Sequence, residues 1–91
     1  MEEPIRVRLP EGRQVLGTVE ELLGSRFRVL CTDGNRRICR IPGRFRKKTN
    51  INVGDVVLVE PWEVESAQKG DIIYIYTKTH ISWLRKKGYI K

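Results

Sequence analysis

Residues 26–32, RFRVLCT, alternate without a break: Phe27, Val29 and Cys31 share one parity, Arg26 and Arg28 the other. Asp33-Gly34 follows at once. A side-chain period of two belongs to a strand with one dry face. Asp-Gly is a pair that accepts the positive φ angles of a tight type I′ turn. Together they demand a hairpin. The chain must reverse at 33–34, and residues 35–41 must return as the partner strand with Cys39 and Ile41 turned inward.

Three more strands can be read around that hairpin. Residues 14–23, QVLGTVEELL, place Val15, Gly17 and Val19 on one parity and then slip so that Leu22 also turns inward. Such a slip indicates a β-bulge. Gly17, inside the strand, marks a bend or a close backbone approach. Gly24-Ser25 makes the turn into the hairpin, and Pro42-Gly43 ends it. Residues 43–52 then form a connection with a short helical turn. Residues 55–60, DVVLVE, and 71–77, DIIYIYT, are the fourth and fifth strands, separated by a polar loop at 60–70. Residues 79–88 read as a helix, with Thr79 as N-cap, Ile81 and Leu84 on its apolar side and Gly88 at its C-terminal end.

Five short strands and a closing helix predict an all-β fold with a C-terminal helix, and specifically the five-stranded Greek-key barrel called the OB-fold. A sandwich needs more strands, and an SH3-like barrel usually lacks so long a first strand. The length, 91 residues, fits one domain. Its expected parts are an N-terminal extension over 1–13, the barrel over 14–78, and a C-terminal helix with a basic tail over 79–91.

The fourth and fifth strands depart from a simple barrel pattern. Val57 and Val59 oppose Val56 and Leu58, and Ile72 and Tyr74 oppose Ile73 and Ile75, so both faces are apolar. An outer apolar patch needs a cover. The expectation is that the helix lies over it through Ile81 and Leu84. The rival is a protein-interaction module that docks a partner there, its basic residues merely solubilising.

Charge is segregated along the chain. The formal net charge is +7, from 18 Lys and Arg against 11 Asp and Glu. Residues 26–48 hold nine of those 18 bases and one acid, Asp33. Residues 49–76 hold five acids and one base, Lys69; the remaining fifteen carry five bases and no acid. The densest stretch, RRICRIPGRFRKK at 36–48, is Arg or Lys at seven of thirteen positions. Arg26 and Arg28 lie on the strand paired with Arg36 and Arg40, and like charges on adjacent strands destabilise a sheet. Arginine, which predominates, presents a planar fork suited to phosphate. The simplest reading is a surface for a polyanion, nucleic acid first among them.

Other chemistries find little footing. Glu63, Glu65 and Asp71 read as a solvated loop, and there is no Gly-rich phosphate loop and no nucleophile beside a histidine. The chain is expected to be no enzyme, with no cofactor and no small-molecule substrate. His80 stands far from Cys31 and Cys39, which argues against zinc. No apolar run approaches the ~20 residues of a membrane span, and MEEPIRVR lacks the apolar core of a signal peptide. A cytoplasmic monomer is expected, in which the two cysteines stay reduced and buried rather than bridged across the hairpin. Phe27 and Tyr74 are assigned to the core. Phe45 can stack on a base or anchor a loop, and Trp62 can be an exposed platform or a plug. Such sparse aromatics favour backbone and shape recognition of folded RNA. The alternative is a general single-stranded RNA-binding protein or chaperone of the cold-shock type, which relies on stacking.

The segment from Cys31 to Cys39, CTDGNRRIC, followed by RIPGRFRKK at 40–48, resembles translation initiation factor 1A of archaea and eukaryotes, and more distantly bacterial initiation factor 1. The resemblance covers about residues 14–88, and WLRKKGYI at 83–90 is similar to the archaeal branch. It implies an OB-fold with a C-terminal helix, and a factor that binds the small ribosomal subunit at the A site and promotes correct assembly of initiator tRNA and mRNA. It implies small-subunit rRNA, a ribosomal protein near the decoding site and an initiation factor of the 5B type as partners, with no membrane. With the strand reading it nominates Arg28, Arg36, Arg37, Arg40, Arg44, Arg46, Lys47 and Lys48 for RNA contact. Two departures stand out. Asn50 lies where some relatives carry a Trp, and the long tails of eukaryotic members have no counterpart in a chain that starts Met1-Glu2-Glu3 and stops at Lys91.

Overall fold

The computed structural model describes residues 7–43 and 51–90. They form five strands and one helix: β1 (Val15–Leu23), β2 (Arg26–Cys31), β3 (Arg36–Arg40), β4 (Val56–Pro61), β5 (Lys69–Ile75) and α1 (Lys78–Lys86). The strands close into a barrel in the order β1-β2-β3-β5-β4, with β3 and β5 parallel and the other pairs antiparallel. This is the five-stranded OB-fold barrel with a C-terminal helix. Residues 44–50, where a helical turn is expected, lie outside the described residues.

The hairpin forms, but its turn is not the expected type I′: among the described non-glycine residues only Glu65 has positive φ, so Asp33 does not, and the turn centres on Thr32 and Asp33 with Gly34 left-handed behind them. Gly34 has φ 92°, its N–H bonds the Cys31 carbonyl at 3.0 Å, and the Cys31 N–H bonds the Asn35 carbonyl at 2.9 Å. The bulge in β1 is also present: Val19 pairs with Val29 but Glu21, not Glu20, pairs with Arg28. Past it, Leu22 shares a pair with Phe27 yet remains 46% exposed. It sits at the end of the sheet, where inward orientation no longer means burial. Gly17 marks a close approach: a Cβ there would stand 2.4 Å from the Val29 Cγ1.

Two apolar layers hold the fold. The barrel interior contains Val19, Val29, Cys31, Cys39, Ile51, Val57, Val59 and Ile72, with Phe27, Ile41 and Ile75 at its margin. Cys31 and Cys39 are free, buried thiols. The second layer lies outside the barrel wall, where Leu16, Val56, Leu58, Ile73 and Tyr76 meet Leu84 of α1. Ile81, Trp83 and Ile90, together with Val7 and Leu9 from the N-terminal segment, complete it. The helix therefore covers the outer patch of β4 and β5, as expected, and the N-terminal segment shares the task. The Tyr76 hydroxyl donates to the Arg8 carbonyl and ties the N-terminal segment to the chain just past β5.

Three local expectations are corrected. The register shifts between Leu58 and Val59, so that Val57 pairs with Ile75, Leu58 with Tyr74 and Val59 with Ile72. Ile72 and Ile75 thus face inward while Ile73 and Tyr74 join the outer layer, and Tyr74 belongs under the helix rather than in the barrel core. β5 starts at Lys69 rather than 71 because the parallel pairs Ile38–Lys69, Cys39–Gly70 and Arg40–Asp71 give this stretch a distant partner. The helix is capped by Thr77, not Thr79: the Thr77 hydroxyl accepts from the His80 N–H at 3.3 Å. Tyr76 is buried, and the chain must turn directly after it for Leu84 to reach the patch. Gly88, at φ 86°, ends α1 with its N–H on the Arg85 carbonyl at 3.1 Å.

Candidate nucleic-acid interface

β2 and β3 present one parity to the interior and the other to solvent. On the outer side stand Arg26, Arg28, Leu30, Arg36, Ile38 and Arg40. The register sets Arg28 opposite Ile38 and Leu30 opposite Arg36, so cations and aliphatic side chains alternate across the two strands. In those pairs no two arginines are directly opposed. Arg36 is the most extended into solvent of the paired arginines, its side chain 61% exposed.

Carboxylates from the two flanking strands reach into this row. Arg28 donates to Glu21 of β1, Arg36 donates through Nε to Glu20 of β1 at 3.0 Å, and Arg40 donates through Nε to Asp71 of β5 at 3.1 Å. The bulge explains how β1 supplies two of them. Adjacent residues of a regular strand point to opposite faces, whereas the extra residue of a bulge lets Glu20 and Glu21 both serve the outer side. These counter-ions were missed in the sequence because two lie on a strand read for its apolar parity and the third was assigned to a solvated loop.

At the β5 edge the row ends in an aromatic. The Arg40 guanidinium lies 5.0 Å from the Trp62 ring centroid, and the Lys69 ammonium 6.0 Å. Trp62 Nε1 donates to Asp71 Oδ1 at 2.9 Å, the same oxygen that receives Arg40. Trp62 is therefore a half-buried partner of the cation row, held by a hydrogen bond and by cation–π attraction. It lines an open cleft of about 430 Å³ together with Arg13, Pro61 and Asp71.

Arg37 is placed differently from the other nominated residues. It has the inward parity of Cys39 and is 3% exposed. Its two terminal nitrogens bond the two Asp33 oxygens at 3.0 and 2.9 Å, and its Nε bonds the Ser66 carbonyl at 2.6 Å. The guanidinium holds Asp33 below the ordinary carboxylate range, and Asp33 in turn raises Arg37. This residue ties the hairpin turn to the β4–β5 loop and presents no free fork to a ligand. Arg28, Arg36 and Arg40 are brought onto one wall. Arg44, Arg46, Lys47 and Lys48 lie outside the described residues.

A closed five-stranded barrel of this strand order, with arginines along β2 and β3, places the chain by architecture among the small OB-fold proteins. Comparison narrows this. The family model "Translation initiation factor 1A / IF-1" matches residues 4–91. Translation initiation factor 1A of Methanococcus aeolicus is 53% identical over 99% of this chain and 89% of its own length, and that of Pyrococcus abyssi is 52% identical over 98% and 80%. Among solved structures, translation initiation factor IF-1 from the Wolbachia endosymbiont of Brugia malayi superposes with a TM-score of 0.57 at 38% identity, covering 72% of this chain and 79% of that one. YjeQ from Thermotoga maritima superposes with a TM-score of 0.59 at 26% identity, over 70% of this chain but 23% of that larger one. The chain belongs to the translation initiation factor 1A / IF-1 family, and its role lies in translation initiation.

Proposed function

We propose that this chain binds the small ribosomal subunit at the A site through rRNA and there promotes correct assembly of initiator tRNA and mRNA. The observation that carries the reading is the row of Arg28, Arg36 and Arg40 on one wall of the barrel. The chain continues directly from that wall into Arg44, Arg46, Lys47 and Lys48. A rigid sheet fixes the spacing of the first three cations, and the sequence adds four more directly after them. Double-helical RNA is read mainly through phosphates and 2′-hydroxyls, which suits guanidinium forks better than stacking surfaces. A ribosomal protein beside the decoding site and a 5B-type initiation factor are the protein partners this reading names.

The stacking alternative fits the geometry less well. Phe27, the aromatic of β2, faces the barrel interior, and the outer positions of β2 and β3 are arginines and aliphatic residues. The docking-module alternative loses its surface to α1.

The test is co-sedimentation with purified small ribosomal subunits against an excess of unstructured RNA. Saturable one-to-one binding that survives the competitor at physiological salt is expected. Equal affinity for both RNAs would overturn the reading and leave a general RNA binder.

A further inference from the structure

We propose that Glu20, Glu21 and Asp71 are specificity determinants of the arginine wall, weakening its hold on loose RNA more than its hold on a folded one. The inference rests on the proposed RNA contact and deepens it. Its basis is a regularity of the ion pairs: the cations sit on the central strands β2 and β3, and each carboxylate comes from a flanking strand, β1 or β5. The bulge in β1 delivers two consecutive carboxylates to this one face, and the Asp71 oxygen is shared between Arg40 and the Trp62 indole.

Such pairs do little for folding. They are exposed, with side chains of Arg28 and Glu21 at 41% and 51% and those of Arg36 and Glu20 at 61% and 31%, and exposed pairs contribute little net stability. Their effect on a polyanion is larger. Each carboxylate opposes an approaching phosphate, and a loose RNA strand meets that opposition at every encounter. Each also holds a guanidinium in one orientation before the RNA arrives, which lowers the entropy lost on binding. A folded RNA with phosphates at matching positions gains from that orientation, whereas a flexible strand gains little. The carboxylates therefore weaken binding to both, but weaken it most for the wrong one, and an element of repulsion is how many interfaces discriminate.

The discriminating variant is Glu20→Gln with Glu21→Gln, which keeps shape and an acceptor oxygen while removing both charges. Dissociation constants would be measured for a uridine oligonucleotide and for purified small subunits in one buffer, with thermal melting to confirm the fold. Affinity for the oligonucleotide is expected to rise at least about threefold with removal of two nearby negative charges. Affinity for the subunit should rise less, so that the selectivity ratio falls. Asp71→Asn, on the opposite flank, should act in the same direction. Parallel gains for both RNAs, or no gain for the oligonucleotide, would overturn the inference while wild-type subunit binding kept the functional reading intact. Loss of selective subunit binding by the wild-type chain would instead remove the reading on which it rests.

Discussion

Gly17 shows how tightly single residues are held at the wall of this barrel. It pairs with Cys31 on one side and Val57 on the other, and an added methyl would meet the side chain of Val29, which is fully buried. A β-branched residue has little rotamer freedom with which to yield. Gly17→Ala is therefore expected to destabilise the fold by about 1–3 kcal/mol, the usual range for overpacking, read as a lower midpoint in urea. Protonation is constrained at this scale too. Burial pushes the Cys39 thiol from 9.0 up to about 12, and burial likewise pushes the Tyr76 hydroxyl from 10.0 up to about 12. Both groups keep their protons when folded and lose them more readily when unfolded. Unfolding thus releases protons between about pH 9 and pH 12, and stability must fall as pH rises through that window. Urea titrations at several alkaline pH values should show the decline, and Tyr76→Phe should flatten its part above pH 10.

Among the elements, α1 depends most on its surroundings. Nine residues are too few for a stable isolated helix, so it exists because it covers the outer face of β4 and β5. Leu84 is its central contact and is fully buried. Leu84→Ala should destabilise by about 2–5 kcal/mol, a large fraction of the stability of a small domain. Removing residues 79–91 should do at least as much, since it uncovers Leu16, Val56, Leu58, Ile73 and Tyr76 at once. Thermal melting of both variants checks the point, and a truncated chain that melts like the full one would show that the patch needs no cover. The helix itself was legible from Ile81, Leu84 and Gly88. Its cap was not, because Thr77 and Thr79 are equally good chemically and the choice falls to the geometry of the strand before it.

For the molecule as a whole, charge is expected to dominate binding. Each phosphate neutralised releases counter-ions, so the affinity for small subunits should fall linearly on a log–log plot against salt. Replacing Arg46, Lys47 and Lys48 by Ala should make that plot shallower by about 2–3 and leave the melting temperature little changed. Co-sedimentation across a salt series compares the unaltered chain with this variant, and an unchanged slope would remove those three residues from the contact.

What this sequence determined by itself is what depends on neighbours along the chain. Period-two alternation and Asp33-Gly34 specify the hairpin, Gly17 announces a close approach, and the double-sided apolar strands require a covering element. Linear charge density likewise located the basic segment. What only the tertiary structure decided depends on partners far apart in sequence. Arg37 and Arg36 are adjacent and chemically equal, yet one is buried against Asp33 and Ser66 and the other stands in solvent. The facing of Tyr74 and Ile75 hung on a register shift against β4, and β5 gained its first residues from a parallel partner some thirty positions earlier. Of the counter-ions of the arginine wall, Asp71 came from β5, which only the parallel pairing with β3 brings beside it, while Glu20 and Glu21 came from the adjacent β1 through its bulge. Local chemistry sets which conformations a segment prefers, and closure of the barrel sets which side chains meet.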